Sequence, residues 1–360
     1  MDISHWLPNE LLVHIIQQSP NADQAALCRL SKLFRDLCLP VLYRAVKLKD
    51  PCSSTAFCSG IIENSSRADV VRSFILDVSY EDFRIDGRDD LVLASLKLMS
   101  RLEHFSFSGL MLDANHHSRI LLEEYHFPQL ISCNLWFPTF STPLSDLVAL
   151  FLTRHPTLKR VHLHSNSRMV TSRSPRISLP NLEIYVGKAP FILGIDAIRL
   201  KEVQLTWSDT DSADVDKIIS RISSMTNPKL PFVSSHIYSS DNYSQIMISV
   251  STHMSHTRNL RLRRSKKSLW FYSVNHDRDM IRHIMECLSG FTNLVYLTIN
   301  WAHHSKAENW SVVERLVKVC PTLEACCSSR DAWRKVNGQW EECELEEFEV
   351  LAGLYDPTDY

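Results

Sequence analysis

The spacing of apolar residues divides the chain into two regimes. Over residues 7–48 the pattern is helical. Leu11, Leu12, Ile15 and Ile16 recur at i, i+1, i+4 and i+5, which lays them on one face of a helix. Pro8 stands where a first helical turn tolerates a missing N–H. Pro20-Asn21-Ala22-Asp23 breaks and restarts the chain, with Asn21 or Asp23 as the expected N-cap. Ala26, Leu27 and Leu30 continue the stripe. Ser31 is placed to cap a further helix carrying Phe34, Leu37 and Cys38, which Pro40 is expected to end before Val41, Leu42 and Tyr43 begin another turn.

The body of the chain has a different pulse. Apolar residues fall at L-x-x-L-x-L spacing in Val71/Phe74/Leu76, Leu102/Phe105/Phe107, Leu130/Cys133/Leu135 and Leu158/Val161/Leu163. Leu182/Tyr185, Leu200/Val203/Leu205, Leu294/Leu297/Ile299 and Leu323/Cys326 continue it. First positions lie 31, 28, 28, 24 and 18 residues apart, then 94, then 29. The long gap has room for about three more units, with candidate strands at 231–238, 245–250 and 268–274. Helices are expected between strands at 89–99, 145–154, 214–225, 279–288 and 308–319. His155-Pro156 and Cys320-Pro321 supply turn signals ahead of the next strand. Between module and body, residues 49–66 read as a Ser/Cys-rich connector with a short helix near 56–62.

This body resembles a degenerate leucine-rich repeat, in which one strand and one helix per unit must stack on neighbours to bury their apolar faces. The Asn that usually follows the strand is present once, as Asn166. Leu110, Pro138, Ser208, Ala302 and Asp331 take its place elsewhere, so an irregular arc is expected. The alternative is an ordinary α/β domain whose buried strands share the spacing. Trp333-Arg334-Lys335-Val336, Asn337-Gly338 and Gln339-Trp340-Glu341-Glu342 form a hairpin signal with a two-residue turn. That register sets Lys335 against Trp340 and Arg334 against Glu341, with Trp333 and Trp340 diagonal on one face. The hairpin reads as a cap on the last unit. Glu341, Glu342, Glu344, Glu346, Glu347 and Glu349 make the following segment an acidic, solvated helix face, and residues 356–360 a frayed end.

The N-terminal residues are more specific. LP, then LL-x-x-II, then L-x-x-LSK-x-F-x-x-L, then P-x-LY-x-x-V over residues 7–48 resemble the F-box, most closely its fungal form. Cys28 and Cys38 stand where larger aliphatics are common. The resemblance implies docking on the Skp adaptor of a cullin-RING ubiquitin ligase through Leu7, Pro8, Leu11, Ile15, Leu30, Ser31 and Phe34. Leu12, Ile16, Leu27, Leu37 and Leu42 would then serve the module's own core. A bundle this small rarely buries all its aliphatic surface unaided. The fold class expected is therefore α/β: a three-helix F-box (1–48), the connector (49–66), a leucine-rich-repeat-like solenoid (67–330), and a hairpin cap with acidic tail (331–360).

Composition narrows the function. The formal net charge is −2, so no global field draws the chain to nucleic acid or membrane. Glycine numbers only 8, against roughly 25 in an average chain of this length. Neither GxxxxGKS/T, GxGxxG nor GxSxG occurs. MDISHWLPNE lacks the basic start and apolar core of a secretory signal. No stretch approaches 18 uninterrupted apolar residues. Scattered cysteines such as Cys28, Cys133 and Cys326 at apolar positions suit a reducing compartment, cytoplasmic or nuclear. On that view the triplets at Asn64, Asn242 and Asn309 are chance glycosylation matches.

Two basic clusters are candidate substrate contacts. Arg258, Arg261, Arg263, Arg264, Lys266 and Lys267 form one; Arg168, Arg173 and Arg176 form the other. Guanidinium pairs bidentately with phosphate, so either could hold a phosphorylated substrate. A solvated strand face or loop accounts for the same residues. His303-His304 with Cys320, Cys326, Cys327 and Cys343 lacks metal-ligand spacing, so no metal or other cofactor is expected. Strand alternation would turn His162 and His164 to solvent, and His116-His117 reads as polar surface. The resemblance implies a substrate receptor that binds adaptor, cullin through it, and a protein substrate, without chemistry of its own. A scaffold tied to the adaptor without cullin is the alternative, and an enzyme in the body a remoter one.

Overall fold

The computed structural model describes residues 7–77, 88–108, 116–137, 142–165, 176–208, 211, 214–238, 242–265, 274–299, 305–328 and 331–353. The chain is mixed α/β, with mostly parallel strands, in two compact units, Met1–Leu179 and Pro180–Tyr360.

The first unit opens with three helices, α1 (Asn9–Gln18), α2 (Asn21–Leu27) and α3 (Lys32–Leu42). Ser31 caps α3, its hydroxyl accepting from the Phe34 amide at 3.2 Å. Two expected boundaries differ. Pro20, not Asn21 or Asp23, is the N-cap of α2, and no side chain caps it. Pro40 lies inside α3 rather than after it. The Gln24 amide offers another device: it donates to the carbonyls of Ile16 and Ser19 (2.9 and 2.8 Å), satisfying the end of α1 from the next helix.

Parallel strands follow: β1 (Ala45–Leu48), β2 (Ser73–Asp77), β3 (His104–Ser108), β4 (Ser132–Phe137) and β5 (Arg160–Ser165). Between them run α4 (Pro51–Glu63), α5 (Arg88–Leu98), α6 (His116–Glu124) and α7 (Thr142–Thr153). The pairing register turns the sequence repeat into rows. Val46, Phe74, Phe105, Cys133 and Val161 are successive neighbours, as are Leu48, Leu76, Phe107, Leu135 and Leu163. The first-position residues Val71, Leu102, Leu130 and Leu158 are fully buried. At each strand start one carbonyl accepts two consecutive amides of the next unit. Arg72 O takes Glu103 and His104 N–H, Glu103 O takes those of Ile131 and Ser132, and Ile131 O takes those of Lys159 and Arg160, at 2.7–3.1 Å. This fixes the register unit by unit.

The connector is more ordered than expected. Asp50 caps α4 by accepting from the Ser53 amide at 2.8 Å, and Ser54, Cys58 and Ile61 are buried. Helix α6 was not foreseen. Its carbonyl end is held by the Arg154 guanidinium, which donates to Leu122 and Glu123.

In the second unit the parallel strands are β6 (Ile184–Lys188), β7 (Glu202–Thr206), β8 (Phe232–Tyr238), β9 (Thr257–Arg264), β10 (Tyr296–Ile299) and β11 (Ala325–Ser328). Helices α8 (Val215–Met225), α9 (Tyr243–His253), α10 (Val274–Leu288) and α11 (Lys306–Val319) lie between them in sequence. One strand expectation fails here and another is not tested. Residues 245–250 belong to α9, whose Ile246, Met247 and Val250 are buried at i, i+1 and i+4, a helical spacing. The expectation at 268–274 lies outside the described residues, save that Val274 starts a helix. The missing strand is β9, with Leu260 and Leu262 buried beneath the basic run.

The antiparallel hairpin β12 (Asp331–Val336) and β13 (Gln339–Cys343) follows, with Lys335 opposite Trp340 and Arg334 opposite Glu341. Asn337 (φ 51°) and Gly338 (φ 85°) form its turn, both in the left-handed region that a type I′ turn needs. Trp333 is buried against Trp310 of α11, ring centroids 5.9 Å apart. The acidic segment is not merely solvated: α12 (Leu345–Leu351) buries Phe348.

Each unit buries a neutral histidine. The Phe127 amide donates to His155 Nε2 at 2.9 Å, so Nδ1 carries the proton donated to Phe151 O at 2.7 Å. In the second unit Trp207 Nε1 donates to His236 Nδ1 at 3.1 Å, leaving Nε2–H for Ser234 Oγ at 2.9 Å. Burial lowers His155 to about 4 and His236 to about 3. In the unfolded chain both titrate near ~6.5. Below that pH the unfolded chain takes up protons that the fold refuses. Stability is therefore full above pH ~6.5 and falls as pH drops toward 4, by up to about 1.4 kcal/mol per pH unit for each group. Urea melts should show the midpoint falling from pH 7 to pH 5, with a flatter dependence in H155Q. An unchanged slope in that variant would count against the assignment.

Candidate interaction surfaces

The first surface belongs to the N-terminal helices. Neighbouring positions of α1 part sharply. Leu12 and Ile16 are 7% and 1% exposed, whereas Leu11 and Ile15 are 50% and 53% exposed, one turn apart on the same helix face. Leu30, after α2, is also exposed; Pro8 and Ser31 are exposed, and Leu7 and Phe34 half-buried. Leu27, Leu37 and Leu42 are half-buried. The Ser31 hydroxyl already serves its own helix as cap. Exposed leucine and isoleucine at this density, beside a buried stripe, make a surface suited to an apolar partner.

The second surface is the strand face. In the first unit, residues between the buried rows point the other way. Ser73, His104, Ser132 and Arg160 are lateral neighbours, as are Ile75, Ser106, Asn134 and His162. All are exposed or half-buried. His162 and His164 lie on this face, rings edge-on at 6.2 Å, and Trp136 is paired with His164. The face is polar and rich in hydrogen-bonding side chains.

In the second unit the corresponding face becomes buried toward the C-terminus. The basic cluster splits accordingly. Arg258 is exposed, its guanidinium 5.9 Å from the Tyr296 ring centroid. Arg263 is half-buried, Arg261 and Arg264 are buried, and Lys266 and Lys267 lie outside the described residues. Burial, with the Arg263 charge next, brings the Arg261 guanidinium down to about 10 against the opposing pull of Glu349, which stands 3.6 Å away. Of the second basic cluster, Arg176 is exposed; Arg168 and Arg173, with Asn166, lie outside the described residues. The alternation Asn259-Leu260-Arg261-Leu262-Arg263 was the signal for β9: its leucines face the core and its basic residues the strand face.

Among the described residues no three His, Cys, Asp or Glu side chains are placed to hold a metal ion; His303 and His304 lie outside them. Burial pushes the Cys133 and Cys327 thiols up to about 12, which keeps them protonated at neutral pH. No described helix is long and apolar enough to cross a membrane. No family model matches the chain, and no curated protein is significantly similar to it.

The contrast along α1 has a direct consequence. Ile16→Ala should cost about 2–5 kcal/mol in urea unfolding, the range for truncating a buried aliphatic. Ile15→Ala should stay within about 0.5 kcal/mol of wild type, as exposed substitutions do. Equal losses at the two positions would show that the exposed face is part of the fold.

Proposed function

We propose that the chain is an F-box-type substrate receptor of a Skp–cullin ubiquitin ligase. The observation that carries this reading is the split within the LL-x-x-II stretch: Leu12 and Ile16 hold the module together, while Leu11 and Ile15 remain outside, as adaptor contacts would. The order of LP, LL-x-x-II, LSK-x-F and P-x-LY in the sequence supports it. The strand–helix units are read as an irregular leucine-rich-repeat-like array whose polar strand face meets the substrate. The receptor's work is proximity. Holding a substrate beside the activated ubiquitin carrier raises its effective concentration and requires no catalytic group in the receptor itself.

The test is capture of purified Skp adaptor. Leu11→Ala and Ile15→Ala should each cost about 2 kcal/mol or more of binding, so the double variant should lose adaptor from the pull-down while keeping its melting profile. A folded double variant that binds as wild type removes the proposed face. Cullin in the same captured complex distinguishes a ligase receptor from a scaffold bound to adaptor alone.

A further inference from the structure

The face of the second unit that carries Arg261 is closed by the chain's own C-terminal helix, α12. The register places Ala325 and Cys327 of β11 beside Ala332 and Arg334 of β12. The small side chains of Ala325, Cys327 and Ala332 leave a space that none of the three can fill. Phe348 fills it, 1% exposed, packed on Ala325, Cys327 and Ala332. Carboxylates on either side of this aromatic pair with the two flanking arginines, Glu349 with Arg261 at 3.6 Å and Glu347 with Arg334. The Asn259 side-chain amide donates to the Ala352 carbonyl at 2.7 Å. Acidic residues meeting arginines beside a buried anchor are among the recurring ways a peptide segment is held.

The occupant is weakly built. It has 7 helical residues, too few to persist as a helix alone, and its N-cap makes no side-chain bond. Leu345, Val350 and Leu351 remain exposed, so its apolar hold rests on Phe348 and Ala352. Both its ion pairs are partly solvated at the helix side, which limits what they add. An element with so few buried anchors opens locally well before the fold does.

We propose that this face is a binding site for an acidic peptide segment with a central aromatic residue, and that α12 occupies it until such a partner displaces it. The aromatic enters the Ala325–Cys327–Ala332 depression, and acidic residues immediately before and after it pair with Arg334 and Arg261. Calling that partner a substrate rests on the receptor reading above; the binding does not, and adaptor capture run alongside separates the two.

The experiment uses the full chain and a labelled peptide copying 345–353, LEEFEVLAG, read by fluorescence anisotropy. The opened variant F348A/E349A should bind it at least tenfold more tightly than wild type. Adding R261A to that background should return most of the gain, and a competitor with alanine for its phenylalanine should fail to displace the label. A folded F348A/E349A that binds no better than wild type, or an R261A addition without effect, overturns the site. Should the opened variant fail to fold, amide exchange on the wild-type chain decides. Amides of α12 should exchange at least tenfold faster than those of α11, and equal protection overturns displacement.

Discussion

Among the described residues, no strand–helix unit buries its apolar side alone. A single strand offers two or three inward residues, and its helix covers them from one direction only, so each unit needs a neighbour on either flank. The parallel register meets this need by setting like positions side by side, Phe74 by Phe105 by Cys133 by Val161 in the first unit. The carbonyls that accept two amides from the next unit lock that register where each strand begins. Helices, caps and surfaces all take their places from it.

The same constraint creates the problem of ends, and within each unit the end is built differently from the strands beside it. In the first, short amphipathic helices precede β1 and keep Leu11 and Ile15 outside while Leu12 and Ile16 go in. In the second, the parallel run stops at β11, and an antiparallel hairpin supplies the last edge with Trp333 against Trp310. Ala325 and Cys327 of β11 and Ala332 of the hairpin then leave room for Phe348. A face that alternation alone would leave to solvent is thereby covered, with Arg261 buried and Arg334 half-buried beside Phe348.

At one pair of inward polar positions, hydrogen bonds offset the burial. Ser234 and His236 occupy positions of β8 that carry Val203 and Leu205 in one neighbouring strand and Leu260 and Leu262 in the other. They survive there because the imidazole accepts from Trp207 and meets Ser234, while burial keeps it neutral. A buried polar group without such partners would cost about 1–3 kcal/mol, against a net gain of about 1 kcal/mol from a typical hydrogen bond.

Local pattern made much of this legible. Inward apolar positions such as Phe105 and Leu135 were readable because a strand's period is fixed by its backbone, and the Asn337-Gly338 turn because few residues accept positive φ. Strand β9 was hidden because charge dominated the reading of a segment whose leucines still alternate. Residues 245–250 were misplaced because a short apolar run suits either period until its neighbours are known. The sequence alone also told Leu11 and Leu12 apart only by analogy, since both lie on one helical stripe. Which of them is buried, whether Arg261 meets water or Glu349, and what fills the space beside Cys327 are matters of tertiary packing. Burial depends on elements distant in the chain, and no local spacing encodes which of them arrives.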